Sequence, residues 1–282
     1  MYEVMFLIGL ALVWIVFATV QDLRHREVAD WLNFSLIIFA LGFRLFYGLF
    51  SEAGFELFYQ GLIGLAIFFA VGNLFYYGRI FAGGDAKLMI ALGAVLPLFE
   101  SFMFNLKIYV LFILIFLFVG AFYGLGVTVF LSIKHSKSFK KEFFRHLISN
   151  QKIVYMVMLL GLVIMGLGFV QGLLLILGVL IFILPCLYLF AKSVDECCMV
   201  KKLNVNELTE GDWLYKDLQV GKKEMKVDWD GLSKEDIKLI KKYHKSVEIR
   251  QGVAFLPVFL ISFLIFIYMF YSGNVDFFMG FF

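Results

Sequence analysis

Cysteine is scarce in this 282-residue chain, and so is charge. The three cysteines, Cys186, Cys197 and Cys198, form no C-x-x-C pair, and adjacent cysteines rarely bridge, so neither a disulfide framework nor a zinc site is expected. Charged residues make up 17% of the chain and hydrophobic ones 62%. A soluble domain has about 25% and about 45–50%, so that class is excluded. The histidines (His25, His135, His146, His244) fall in polar stretches without ligand spacing, so no metal or other cofactor is expected. There is no phosphate loop, nucleic-acid surface, low-complexity tract or internal repeat. The opening stretch, MYEVMFLIGLALVWIVF, holds Glu3 and no Lys or Arg. Lacking the basic start of a secretory signal, it reads as a resident span.

What the chain has is long apolar runs. Crossing the hydrocarbon takes about 20 mostly apolar residues, and candidate runs lie near 4–20, 32–50, 57–77, 86–99, 107–131, 153–170, 172–191 and 252–271. The expected fold class is all-α, a polytopic membrane protein of about eight transmembrane helices. A small α+β cytoplasmic domain precedes the last span. The expected organisation is a core of five spans over 1–133, a basic cytoplasmic loop over 134–152 and a further hairpin over 153–191, turning at GLGFVQGL. A soluble domain over 192–251 and a last span with its tail over 252–282 complete it. Arg44, inside the second run, reads as a side chain snorkelling outward.

Loop charges set the orientation. Basic residues gather after the first run (Arg24, His25, Arg26), after the third (Arg79, Lys87) and after the fifth (Lys134, Lys137, Lys140, Lys141, Arg145, Lys152). Intervening loops are acidic or uncharged apart from Lys107. The positive-inside rule then places the basic loops in the cytoplasm, and the N-terminus and the Asp276 end outside. In 192–251, Trp213, Trp229 and the alternation in DWLYKDLQV suggest short strands. Ser233 followed by Asp236 suggests a capped helix.

Two acids fall at the same edge. Asp22, in TVQDLRHREVADWLN, lies just past the first run, and Asp85, in FAGGDAKLMI, lies at the mouth of the fourth. Two carboxylates brought together tend to share a proton, leaving one to accept a proton from water and one to give a proton to a leaving amine. Gly83 and Gly84 permit unusual dihedrals and close approach of a substrate strand. The plain alternative is an interfacial acid, with Asp85 capping the helix that follows it.

The AGGDAKL stretch at 82–88, with QDLRHREVADWLN after the first span, resembles the GxGD membrane aspartyl proteases, most of all the archaeal preflagellin and prepilin peptidases. The resemblance covers roughly residues 1–100. It implies catalytic aspartates at Asp22 and Asp85, and motif positions at Ala82, Gly83, Gly84 and Lys87. Ala82 stands where the family motif has its first glycine. Because the C-x-x-C region of bacterial relatives is missing, no N-methyltransferase activity is expected. The implied reaction removes a short basic leader from archaellin or pilin-like precursors at the cytoplasmic face of the plasma membrane. Precursors and membrane lipids are the expected partners.

Glu27 and Asp30 are candidate leader-binding acids, with solvated turn residues as the plain alternative. Lys87 either tunes the pair or merely obeys the positive-inside rule. The Gly120–Gly124 spacing suits close helix packing within the chain, and the basic 134–152 stretch suits anionic lipid heads. Two other functions compete. A signal-peptide-peptidase-like enzyme would carry its first aspartate in a mid-span Tyr-Asp pair, which is absent. A transporter or proton relay using the same acids would hold them near the midplane.

Overall fold

The computed structural model describes residues 2–51, 54–168, 171–221, 223–228 and 231–273. Trp229, Asp276 and residues 169–170 of the expected turn lie outside them. The helices are α1 (Tyr2–His25), α2 (Asp30–Phe50), α3 (Glu56–Tyr77), α4 (Gly83–Gly93), α5 (Phe102–Lys134), α6 (Ser136–Leu167) and α7 (Gly172–Val194). A π-helical turn (Asp195–Met199) extends α7. Then follow β1 (Val200–Asn204), β2 (Trp213–Leu214), β3 (Leu218–Val220), β4 (Lys223–Met225), α8 (Lys234–Tyr243), β5 (Ser246–Arg250) and α9 (Leu256–Tyr271).

Six helices are long and apolar enough to cross a membrane: α1, α2, α3, α5, α6 and α7 with its extension. The chain is thus mostly helical and of multi-pass membrane character, but the eight full spans expected are not all present among the described residues. The run at 86–99 holds only the 11 residues of α4, about 17 Å at 1.5 Å per residue. The last run holds the 16 residues of α9, about 24 Å, short of the roughly 30 Å of hydrocarbon. A second correction concerns 134–152. Those residues are not a loop, because α6 runs unbroken from Ser136 into the apolar stretch.

The described residues of Met1–Gly124 and Ala254–Phe282 form one compact unit, and those of Leu125–Val253 form the other. In the first, α4 lies against α3 with backbones nearly touching. A Cβ on Gly93 would meet Phe68 Cβ at 2.5 Å and Gly64 O at 2.6 Å, and one on Gly72 would meet Ile90 Cγ1 at 2.7 Å. Beyond α4 the chain goes on without regular structure, and its buried carbonyls need donors. Arg44 supplies them. Its Nε donates to Ala94 O (3.0 Å), Nη1 to Leu57 O (2.9 Å), and Nη2 to Val95 O (3.0 Å) and Pro97 O. At 1% exposure, Arg44 does not snorkel; it is drawn inward because α4 stops short. Buried Asn105 completes the accounting. Its Oδ1 accepts from Leu98 N and Phe99 N, both at 3.0 Å, and its Nδ2 donates to Gln60 Oε1 at 3.1 Å. Segment 83–98 therefore follows α3 from near Tyr76 to near Leu57, ending far from where Asp85 lies.

The core of this unit is rich in phenylalanine: Phe68, Phe112, Phe116, Phe259, Phe263 and Phe266 are buried together. Gly120 faces α9, where an added Cβ would lie 3.3 Å from Phe255 Cζ; Gly124 has no such neighbour within 4 Å. The glycine pair marked in the sequence thus contributes one close approach, made within the chain.

In the second unit α6 and α7 pack antiparallel, Gly161 against Phe182 and Gly168 against Leu175. The polar segment closes on its own core of residues such as Leu214, Ile237, Ile240, Val247 and Ile249. Its antiparallel sheet has the order β1-β5-β2, and β3 pairs with β4. Ser233 caps α8, accepting from Asp236 N at 3.2 Å while Asp236 Oδ2 accepts from Ser233 N at 3.2 Å.

Candidate active site

Asp22 lies in the last turns of α1 and is buried, at 7% exposure. Its Oδ2 accepts the backbone N–H of Leu256, the first residue of α9, at 3.0 Å. An N-terminal amide of a helix has no partner within the helix, so it is available to an acid. One side chain fastens that end of α9, Tyr123 donating its hydroxyl to Ala254 O at 2.9 Å; Thr19 Oγ1, which donates to Ile15 O at 2.7 Å, lies 3.4 Å from Leu256 O. Arg26 and Tyr123 lie within electrostatic range of Asp22.

Asp85, equally buried, is the third residue of α4. Its Oδ2 accepts from Ala82 N at 3.2 Å. The acid is therefore not the N-cap but the residue that reaches back to the N-cap amide. Asp22 is near enough for its charge to act on Asp85. Carboxylates placed so in one buried neighbourhood repel when both are ionised, a state eased by sharing one proton. One can then accept a proton while the other donates one.

The other residues singled out from the sequence surround this pair unequally. Ala82, exposed, is the N-cap, and Gly83 and Gly84 are the first two residues of α4. Neither glycine has positive φ, so the expected unusual dihedrals are not adopted; what the glycines leave is room. A Cβ on Gly83 would meet only Tyr76 Cε2 at 4.0 Å, and one on Gly84 only Val28, at 3.6 Å or more. Lys87 Nζ is 2.5 Å from Asp30 Oδ1, with both side chains well exposed. Glu27 is exposed on the turn between α1 and α2. Both turns beside the pair hold a non-glycine residue in the left-handed region, Arg26 at φ 60° and Arg79 at φ 61°. Each ends a helix, with Arg26 N bonding Asp22 O and Ile80 N bonding Phe75 O.

Nothing in the sequence marks Leu256 or Tyr123. A backbone amide has no side-chain signature, and a tyrosine inside an apolar run looks like any core aromatic.

Long apolar helices give the chain multi-pass membrane character, and two buried acids within electrostatic range of each other lie where α1 ends and α4 begins. Residues 9–125, which include both acids, match the type IV leader peptidase family. The preflagellin peptidase of Methanococcus maripaludis is 31% identical over 86 residues, which is 30% of this chain and 36% of that protein. The preflagellin peptidase of Methanocaldococcus jannaschii is 32% identical over 82 residues, 28% of this chain and 33% of that protein. The chain thus spans about a third of the length of the curated relatives it matches. No solved structure gives a significant match.

Proposed function

We propose that the protein is an aspartic endopeptidase that cuts short basic leaders from archaellin or pilin-like precursors at the cytoplasmic face of the plasma membrane. The observation that supports this reading is that buried Asp22 and Asp85 lie within electrostatic range of each other, both inside the segment that matches the leader peptidase family. One carboxylate takes a proton from water, and the other protonates the departing amine. The cytoplasmic face is argued from the basic residues after the first, third and fifth apolar runs. A leader held inside by its own positive charge leaves the bond before the hydrophobic helix at that edge. Both acids sit at helix ends rather than in mid-helix, which favours peptide cleavage over transport.

The test is co-expression with precursors whose basic leader ends in a small residue, read by gel shift and N-terminal sequencing. Asp22→Asn and Asp85→Asn should each abolish processing at normal expression, and the double variant should be no worse, because residues acting as one unit fail together. Substantial turnover by either single variant overturns the reading.

A further inference from the structure

We propose that Glu142, His146 and Glu196 form a binding site for a divalent first-row transition cation, with Zn(II) the best match to one imidazole and two carboxylates. The site rests on none of the residues assigned to cleavage. Glu142 and His146 stand four residues apart on α6, on the same face. Glu196 comes from the π-helical turn after α7, a widening often found at functional sites. One donor atom from each lies within 4.8 Å of the others. Tetrahedral ligands at about 2.0–2.2 Å from one ion lie about 3.3–3.6 Å from each other, so donors within 4.8 Å need to draw together by about 1.5 Å at most.

His146 supplies the observation that points to a ligand. It is buried, at 7% exposure, and its Nε2 lies 3.0 Å from Glu196 Oε2 yet makes no hydrogen bond among the described residues. A buried ring nitrogen is normally partnered. Here nitrogen and oxygen are close without one aiming its hydrogen at the other, as two ligands of one ion would be.

Charge points the same way. The carboxyl side chains of Glu142 and Glu196 are only 19% and 18% exposed. One guanidinium serves both, Arg145 at 2.6 Å from Glu142 Oε2 and 2.5 Å from Glu196 Oε2. With neutral imidazole the group keeps a net negative charge that burial disfavours. At 58% side-chain exposure Arg145 is free to swing outward, and a divalent ion in its place balances both carboxylates. Bound there, the ion ties α6 to the turn after α7.

The experiment uses the full-length protein in detergent, stripped with EDTA, desalted and titrated with ZnCl2. Bound zinc is counted by mass spectrometry after gel filtration, and CoCl2 gives a visible-absorption readout. Wild type should bind one equivalent and gain thermal stability with zinc. His146→Ala and Glu196→Gln should each bind at least tenfold more weakly and lose that gain, whereas Arg145→Gln should bind as tightly or more tightly. If His146 instead pairs with Glu196 as a protonated ring, wild type takes up no stoichiometric zinc, and the proposal is overturned. Wild-type affinity in both His146→Ala and Glu196→Gln overturns it as well.

Discussion

The backbone N–H of Leu256 donates to Asp22 Oδ2 at 3.0 Å, joining residues 234 positions apart. The last helix therefore holds one of the two acids, although it lies outside the segment that matches the leader peptidase family. A proline at the first position of a helix removes that N–H, and here it also replaces the buried Leu256 side chain and disfavours the helical dihedrals of Phe255 before it. Leu256→Pro should lower kcat for precursor cleavage about tenfold or more, the range for a hydrogen bond to a charged group of about 1.5–3 kcal/mol. Leu256→Ala, which keeps the N–H and loses the buried side chain, should lower it much less. Steady-state kinetics on both variants decide, and equal kcat values would remove α9 from the chemistry.

Arg44 should be a stability residue. Arg44→Met leaves the carbonyls of Leu57, Ala94, Val95 and Pro97 without their buried donor, at about 1–3 kcal/mol for each one left unpaired. The loss should be about 3 kcal/mol or more, seen as early loss of the monodisperse peak when detergent-solubilised protein is heated. Lysine cannot fork to several carbonyls, so Arg44→Lys should recover only part. Arg24→Met, at an exposed position, should melt as wild type does.

How far the sequence reveals this arrangement depends on what each residue needs. Asp22, Asp85 and the glycines stand out because charge and missing side chains are conspicuous at the ends of apolar runs. The end of α4 does not, because Ala94–Leu98 is as apolar as the helix before it. Arg44 shows the same limit: its place in a run tells its depth, not the carbonyls that draw it inward. The i, i+4 spacing of Glu142 and His146 is present in the sequence, but it carries meaning only on a helix, and the charge of 134–152 suggests a loop. The contact from Leu256 to Asp22 belongs to the fold alone.

The two acids proposed to grip a basic leader should differ. Asp30 already faces Lys87 at 2.5 Å, while Glu27 is an exposed acid on the adjacent turn. Glu27→Gln should raise KM for a basic-leader precursor several-fold with little change in kcat, and Asp30→Asn should raise it less. Exposed ion pairs contribute about 0–1 kcal/mol, so Lys87→Met should barely change thermal stability. Lys87→Met should lower KM by freeing Asp30 for the leader. A larger KM effect from Asp30→Asn than from Glu27→Gln would reverse the assignment.

Gly84 separates a structural need from a substrate path. It lies in a helical first turn without positive φ, and an added Cβ would meet only Val28, at the ordinary contact distances of 3.6 and 3.8 Å. Nothing among the described residues therefore requires glycine there, and alanine is favoured over glycine within helices by up to about 1 kcal/mol. Gly84→Ala should melt at or above the wild-type temperature. If an extended precursor strand passes over this turn to reach Asp85, the new methyl group occupies its space. The kcat/KM for cleavage should then fall about tenfold in Gly84→Ala, and the larger side chain of Gly84→Val should end cleavage while the protein still purifies as a single species. Thermal unfolding and precursor cleavage measured on the same preparations distinguish the two effects. A stable Gly84→Val protein that cleaves at the wild-type rate would mean that the strand reaches the aspartates by another side.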